Sequence, residues 1–294
     1  MLTTPEIFKR YEEVRSRMPQ AQCSSSIRDI DDLTEIAEQA EVFVFDAFGV
    51  LNVGETLIKG ADLRLRELRS LGCKIRILTN AASYERSGTI AKFSKLGIEI
   101  EDDEIITSRD AALLVLTSGF WGVIAATEDH LSDLKVDYLR LGHKPQDYDL
   151  VDGVLFLSSS IWTDVGQELL KRSLLKNDRP VIVANPDLVA PRDNGFSIEP
   201  GHFGHLLADC GLKNIRFFGK PFPEVYDLVE ASLPSIPSHK IVMCGDTLHT
   251  DILGAAARGW QTVLVTQDGL FSGYDTKKYC FESNIYPDWR LARI

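Results

Sequence analysis

The sequence lacks the features that mark secreted, membrane-spanning or thiolate-metal proteins. Its five cysteines are far apart and form no C-x-x-C pair, which argues against a zinc site and against a disulfide framework. It contains no apolar run long enough to span a bilayer, and its charged N-terminus has no signal-peptide stretch. We therefore expect a cytoplasmic protein that does not span a membrane.

Basic side chains are also in the minority. The 32 Lys and Arg residues face 43 Asp and Glu residues, for a net charge of −11. An acidic surface repels phosphate backbones, so we do not expect nucleic acid to be the main partner. The 294 residues and the 44% hydrophobic content suit about two globular domains and exclude disorder, collagen and coiled coil as descriptions of the whole chain.

Short apolar runs that alternate with helical periodicity predict a parallel α/β fold. Strands are expected at 41–45, 74–78, 215–218, 240–244 and 261–265 in the two outer parts of the chain, and at 123–126, 153–157 and 181–184 in the middle. We predict a core domain made of residues 1–82 and 201–294, in which 1–30 form a polar helical lead-in, and an inserted α/β domain at 83–200.

Polar residues follow the predicted core strands, at the edge where open α/β sheets bind ligands. Carboxylates there can hold Mg²⁺, and one of them can attack phosphorus. Hydroxyl, amide and ammonium groups can hold phosphoryl oxygens. A single Asp after a strand is usually a turn residue, but the whole set predicts phosphoryl transfer. The residues are Asp46, Thr79, Asn80, Lys220, Asp246 and Asp251.

These segments resemble the four motifs of the haloacid dehalogenase (HAD) superfamily, in the right order and each after a strand. The long insert between the second and third motifs and the Asn-Pro-Asp sequence at 185–187 are similar to class IIA, which includes sugar-phosphate and nitrophenyl-phosphate phosphatases. The resemblance implies a Rossmann-like parallel-sheet core with an inserted α/β cap domain, and a Mg²⁺-dependent phosphatase.

The resemblance also implies roles for individual residues. Asp46 is the nucleophile, which forms an aspartyl-phosphate, and a Mg²⁺ ligand. The backbone carbonyl of Phe48 and the carboxylate of Asp246 are further ligands, and Asp251 supports the metal site from behind. Thr79 and Lys220 hold the phosphate. Asn80, Asn185 and Asp187 are expected to contact substrate, although a simple turn explains the last two equally well.

Phe48 departs from the phosphatase pattern. The family places there an Asp that acts as general acid and base, and such catalysis contributes about 10²–10⁴-fold. Three consequences stay open: another residue supplies the proton, the substrate has a good leaving group, or the protein is a degenerate binding or regulatory protein. His249, inside the fourth motif, is a candidate substitute.

Two further alternatives have weaker support. Asp-Ala-Phe-Gly at 46–49 is also similar to the first motif of 2-haloacid dehalogenases, but the short stretch between Asp46 and Thr79 leaves no room for their cap. His202 and His205 share a helix face and could form a metal pair. The expected partner is a small phosphorylated metabolite, and because related phosphatases often dimerise through their caps, a homodimer stays open.

Overall fold

Two parallel β-sheets form the framework of the protein. The computed structural model describes residues 2–24 and 26–294. Met1 and Ser25, which fall in the predicted lead-in, lie outside the described residues. The strands in chain order are β1 (Arg28–Asp29), β2 (Val42–Phe45), β3 (Asn52–Val53), β4 (Thr56–Leu57), β5 (Lys74–Thr79), β6 (Ile105–Thr107), β7 (Phe120–Ile124), β8 (Asp137–Arg140), β9 (Gly153–Phe156), β10 (Val181–Val183), β11 (Val189–Arg192), β12 (Gly195–Ile198), β13 (Ile215–Phe217), β14 (Ile241–Gly245), β15 (Gln261–Val265) and β16 (Trp289–Leu291).

Helices connect these strands and cover the sheets. They are α1 (Thr4–Val14), α2 (Ala61–Ser70), α3 (Arg86–Lys95), α4 (Ser108–Leu113), α5 (Asp164–Lys176), α6 (Pro200–Asp209), α7 (Pro223–Ala231), α8 (Leu253–Ala257) and α9 (Thr276–Ser283). A π-helical turn, Leu248–Ile252, leads into α8. Within the described residues, every helix is too short or too polar to cross a bilayer.

The larger sheet has the strand order β1-β16-β15-β14-β2-β5-β6, and its neighbours all run parallel. The central strands β2 and β14 are buried at every residue, as expected where both faces of a parallel sheet are covered. The predicted strands at 41–45, 74–78, 240–244 and 261–265 are confirmed within a residue or two at their ends, and with them the α/β fold.

The smaller sheet has the order β13-β10-β9-β7-β8 and is also parallel. The strand predicted at 215–218 is present as β13, but it pairs with β10 of the smaller sheet and not, as expected, with the strands of the larger sheet. Conversely, β6 lies within the predicted insert and pairs with β5 of the larger sheet. An apolar run predicts a buried strand but does not say which sheet it joins.

The two sheets share one apolar core. A single cluster contains Val44 of β2, Leu155 of β9 and Ile182 of β10. Strand β6 lies after residue 82 but belongs to the larger sheet, and β13 lies after residue 200 but belongs to the smaller sheet. The two sheets therefore do not divide at residues 82 and 200. The division of the chain into a core domain and a cap domain stays a prediction.

Helix α1 is a packed element rather than a polar lead-in. Its buried face consists of Ile7, Phe8, Tyr11 and Val14 in addition to Thr4. The helical spacing of Ile7, Tyr11 and Val14 predicted the helix correctly. The face packs against residues of the larger sheet's loops, including Leu248 and Leu270.

Candidate active site

Three carboxylates converge at the carboxyl edge of the larger sheet. Asp46 follows β2, Asp246 follows β14, and Asp251 lies in the π-helical turn. One oxygen from each lies within 4.8 Å of the others. The sequence placed these residues at adjacent strand ends, and β2 and β14 are indeed neighbours.

Backbone and hydroxyl donors fix the orientation of Asp246. Its Oδ2 accepts a hydrogen bond from the N–H of Leu270 at 2.6 Å, and its Oδ1 accepts one from Thr247 Oγ1 at 3.0 Å. Space beside it is tight: a Cβ added at Gly269 would lie 2.1 Å from Asp246 Oδ2. Only glycine therefore fits at position 269 without displacing the carboxylate.

Burial raises the pKa of two carboxylates of the site, Asp46 and Asp246. Burial, reinforced by the charges of Asp251 and Asp46, raises the pKa of Asp246 to about 8. Burial likewise raises the pKa of Asp46 to about 6, although Lys220 opposes the shift. Desolvation and mutual repulsion are the causes. A bound cation would favour the ionised forms, and carboxylate oxygens are the ligands that Mg²⁺ prefers, so this donor set fits that ion.

Lys220 reaches the same point from the smaller sheet. It follows β13, and its Nζ lies 2.6 Å from Asp46 Oδ1 and 2.7 Å from Asp251 Oδ1. The side chain is 1% exposed. Although burial opposes it, the negative charges of Asp251 and Asp46 raise the pKa of Lys220. The group is therefore a fixed positive charge beside Asp46.

Thr79 and Asn80 end β5 next to this centre. Thr79 Oγ1 accepts a hydrogen bond from the N–H of Ala81 at 3.1 Å, and its hydroxyl hydrogen is free to donate into the cavity. The Asn80 side chain positions its neighbours: Oδ1 accepts from the Lys220 N–H at 2.7 Å, and Nδ2 donates to Asp187 Oδ1 at 2.8 Å. Asn80 thus joins the two sheets at the site.

The Asn-Pro-Asp segment lies at the cavity, as predicted. Asn185 Oδ1 accepts the N–H of Asp187 at 3.0 Å, and Asn185 Nδ2 donates to Glu199 Oε2 at 3.1 Å. Burial raises the pKa of Asp187 well above its ordinary value. Both residues line the cavity, but their hydrogen bonds also form the turn that the alternative interpretation expects.

Two cations that no sequence pattern pointed to lie against the Phe48 ring. Lys92 Nζ of α3 is 4.4 Å from the centre of the Phe48 ring, and Arg192 Cζ of β11 is 4.6 Å from it. Lys92 pairs with Glu55 at 3.1 Å, and Arg192 pairs with Glu199 at 3.2 Å. These contacts join distant parts of the chain, which periodicity cannot predict.

A cavity of about 360 Å³ opens above the carboxylates. Its wall includes Asp46, Phe48, Thr79, Asp187 and Asp246, together with the hydroxyls of Ser83, Ser158 and Ser160. The lining is mostly polar, and the volume suits a small ligand. The structure thus brings the predicted carboxylates, Thr79 and the Asn-Pro-Asp segment to one cavity, with Lys220 buried behind Asp46.

The histidines lie elsewhere. His249 is fully buried, its Nε2 is 2.5 Å from Glu12 Oε1, and its ring stacks on Tyr11 at 4.9 Å. It faces α1 and is absent from the cavity wall in the described part of the chain, which does not favour it as the substitute acid. His202 and His205 belong to no group of three metal-ligating residues within 2–24 and 26–294.

Known protein families match the two segments of the chain that carry Asp46, Thr79, Lys220, Asp246 and Asp251. A family described as "Haloacid dehalogenase-like hydrolase" matches residues 43–129, and a related HAD-hydrolase-like family matches residues 217–288. Chloroplastic phosphoglycolate phosphatase 1A of Arabidopsis thaliana is 32% identical over 303 residues, covering 94% of this chain and 80% of that protein. Dihydroxyacetone phosphatase of Corynebacterium glutamicum is 24% identical over 254 residues, covering 81% and 85%.

Solved structures share the fold. A possible sugar phosphatase of the HAD superfamily from Cytophaga hutchinsonii superposes with a TM-score of 0.79 at 24% identity, covering 90% of this chain and 98% of that one. The 4-nitrophenylphosphatase of Thermotoga maritima gives 0.70 at 19% identity, covering 88% and 96%. Both likenesses span the two sheets, so the arrangement of sheets found here is one that these proteins also have.

Proposed function

This chain belongs to the haloacid dehalogenase-like hydrolases, and from that membership we propose that it is a Mg²⁺-dependent phosphatase of small phosphorylated metabolites. The observation that carries the proposal is the position of Asp46. Its carboxylate stands at the carboxyl end of β2, beside the buried ammonium of Lys220 and within reach of Asp246 and Asp251. This arrangement suits a nucleophile that must approach an anionic phosphoryl group.

In the proposed reaction Asp46 attacks phosphorus with the carboxylate oxygen that does not contact Lys220. A bond forms between that oxygen and phosphorus, and the bond from phosphorus to the leaving oxygen breaks. Thr79 and Lys220 hold phosphoryl oxygens and stabilise the charge that develops on them. Water then hydrolyses the aspartyl-phosphate and returns Asp46 to its starting state.

Local charge supports the proposed metal site. The three carboxylates and the one ammonium leave two uncompensated negative charges if all are ionised, which a divalent cation would balance. We propose Asp46, Asp246 and the carbonyl of Phe48 as ligands. Asp251, whose Oδ1 pairs with Lys220 and whose Oδ2 accepts the N–H of Thr247, supports the site from behind in this proposal. When bound, Mg²⁺ supplies charge neutralisation at the phosphoryl group.

Phe48 favours substrates with good leaving groups. Its ring carries no proton for a departing alkoxide, and the missing acid amounts to about 10²–10⁴ in rate. Acyl and aryl phosphates have leaving oxygens that need little protonation. We therefore propose faster turnover of these esters than of alkyl phosphates.

The second candidate function, a degenerate protein that binds a phosphometabolite or regulates in response to it, rests on the same residue. Such a protein would bind phosphorylated ligands saturably and release no phosphate. The cavity and Lys220 serve this function as well as catalysis, so turnover decides between the two.

Phosphate release from purified protein is the test. Acetyl phosphate, an aryl phosphate, phosphoglycolate and dihydroxyacetone phosphate would each be assayed with Mg²⁺ and with chelator, beside Asp46→Asn. Phosphoglycolate and dihydroxyacetone phosphate are included because two relatives of this chain are named phosphoglycolate phosphatase and dihydroxyacetone phosphatase. Mg²⁺-dependent release that Asp46→Asn abolishes is the expected result. Release that survives this change would refute the proposal, and binding without release would favour the second candidate. A homodimer through the predicted cap stays a prediction, which sedimentation tests.

A further inference from the structure

Helix α1 lies outside the residues that the family comparisons match, which begin at 43 and end at 288. It nevertheless packs directly beneath the three-carboxylate centre. Its apolar face shares one buried cluster with Leu188, Leu248 and Leu270. Leu188 adjoins Asp187 in the chain, and Leu248 lies between Asp246 and Asp251. The N–H of Leu270 donates to Asp246 Oδ2.

The first polar contact joins α1 to the π-helical turn. His249 lies between Asp246 and Asp251 in the chain and is 0% exposed. Glu12 Oε1 lies 2.5 Å from His249 Nε2, and this hydrogen bond lowers the pKa of the Glu12 carboxyl. The Tyr11 ring stacks on the imidazole with an interplanar angle of 6°. This part of the turn is therefore fixed by α1 from below.

Two more contacts reach the neighbouring loops. Tyr11 Oη accepts the N–H of Leu188 at 3.2 Å, one residue after Asp187. Thr4 Oγ1 donates to the carbonyl of Leu270 at 2.8 Å, while the N–H of the same residue donates to Asp246 Oδ2 at 2.6 Å. One helix thus holds three separate loops, and each of them carries or orients an acidic residue of the site.

We propose that α1 is a positioning element of the carboxylate centre, and that Tyr11 and Glu12 set the arrangement in which Asp246 receives the divalent cation and Asp251 supports it. The inference rests on the proposed function, because it assigns the cation to these residues. A helix that only completed the core would need its apolar face alone. The polar contacts at Thr4, Tyr11 and Glu12 are additional, and all three end beside the site.

The test measures cation binding in the full chain. Glu12→Leu removes the acceptor of the buried His249 N–H, and Tyr11→Phe removes only a hydroxyl. Glu13→Leu is the matched control, since Glu13 is adjacent, on the exposed side of the same helix, with 48% side-chain exposure. Residues that orient metal ligands typically change metal affinity 10–100-fold. We expect the Mg²⁺ concentration that gives half of the maximal thermal stabilisation to rise about tenfold in Glu12→Leu and less in Tyr11→Phe.

The conservative variant Glu12→Gln keeps an oxygen acceptor and should restore wild-type Mg²⁺ dependence. The KM for an aryl phosphate at saturating Mg²⁺ should not change in any variant. If the variants melt at lower temperature but are half-saturated by the same Mg²⁺ concentration as wild type, α1 is only a structural helix and the proposal is overturned. Absence of Mg²⁺-dependent turnover in the wild type would instead refute the proposed function, while Mg²⁺-induced stabilisation would still report on α1.

Discussion

Replacing Lys220 by methionine removes the only ammonium that contacts the three-carboxylate centre within the described residues. The side chain is 1% exposed, and its Nζ lies 2.6 Å from Asp46 and 2.7 Å from Asp251. Methionine preserves most of the stem and its packing but not the charge. Two buried carboxylates are then left without their counter-ion.

Removal of one partner from a buried ion pair costs about 3–5 kcal/mol. We expect the free energy of unfolding of Lys220→Met, without Mg²⁺ and well above pH 6, to fall by about that amount. The pH dependence has a definite sign. Burial raises the pKa of Asp46 to about 6, and loss of Lys220 raises it further. A carboxyl with a raised pKa in the folded state destabilises the fold when ionised. The share of the deficit due to Asp46 is therefore full above the variant's raised pKa and disappears as the pH falls from there to about 6.

Urea unfolding in chelator at pH 8 and pH 5 measures this difference. Lys213→Met is the control, because Lys213 is exposed and surface substitutions usually change stability by less than about 0.5 kcal/mol. Mg²⁺ should stabilise the variant, since it replaces the lost positive charge. Equal stability of variant and wild type at pH 8, or a deficit that grows as the pH falls, would refute the reasoning.

Three further predictions concern the site and the smaller sheet. Phe48→Asp should raise alkyl-phosphate turnover relative to aryl-phosphate turnover. The effect should be larger when Lys92→Met is added, because a cation 4.4 Å from the ring would hold the new carboxyl ionised. An unchanged ratio of alkyl to aryl turnover in a leaving-group series would count against a missing acid. Gly269→Ala should weaken Mg²⁺ binding by at least tenfold in calorimetry, because its Cβ would lie 2.1 Å from Asp246 Oδ2; wild-type affinity would contradict the tight fit. Burial lowers the pKa of His205 to about 3, so only the unfolded chain binds a proton at this residue as the pH falls below about 6.5. Wild type should therefore lose about 2 kcal/mol more stability than His205→Gln between pH 7 and pH 5. Equal losses in urea titrations would show that His205 is not buried in its neutral form.

The strand ends of the larger sheet were predictable because two rules act together there. Buried parallel strands form continuous apolar runs, and ligands lie at their carboxyl ends. Asp46, Thr79 and Asp246 follow from these rules without knowledge of any long-range contact. The parallel order then brings the carboxylates together, as observed for Asp46 and Asp246.

No sequence pattern pointed to the contacts between residues that are far apart in the chain. The Lys92 and Arg192 cations on the Phe48 ring come from α3 and β11, and neither lies at a strand end that a motif marks. The pairing of His249 with Glu12 depends on the π-helical turn, which rotates the imidazole away from the cavity. The sequence could name His249 as a candidate acid, but only the turn decides which way it faces.

Lys220 comes from a different sheet than the carboxylates that it contacts. The carboxylates come from the larger sheet, whereas Lys220 follows β13 of the smaller one. Any hinge motion that separated the sheets would pull its ammonium from Asp46 and Asp251, at a cost of about 3–5 kcal/mol for a broken buried pair. It would also open the shared apolar cluster around Val44 and Leu155. Lys220 and this cluster therefore resist separation of the sheets, and the cavity of about 360 Å³ is lined by residues that follow strands of both.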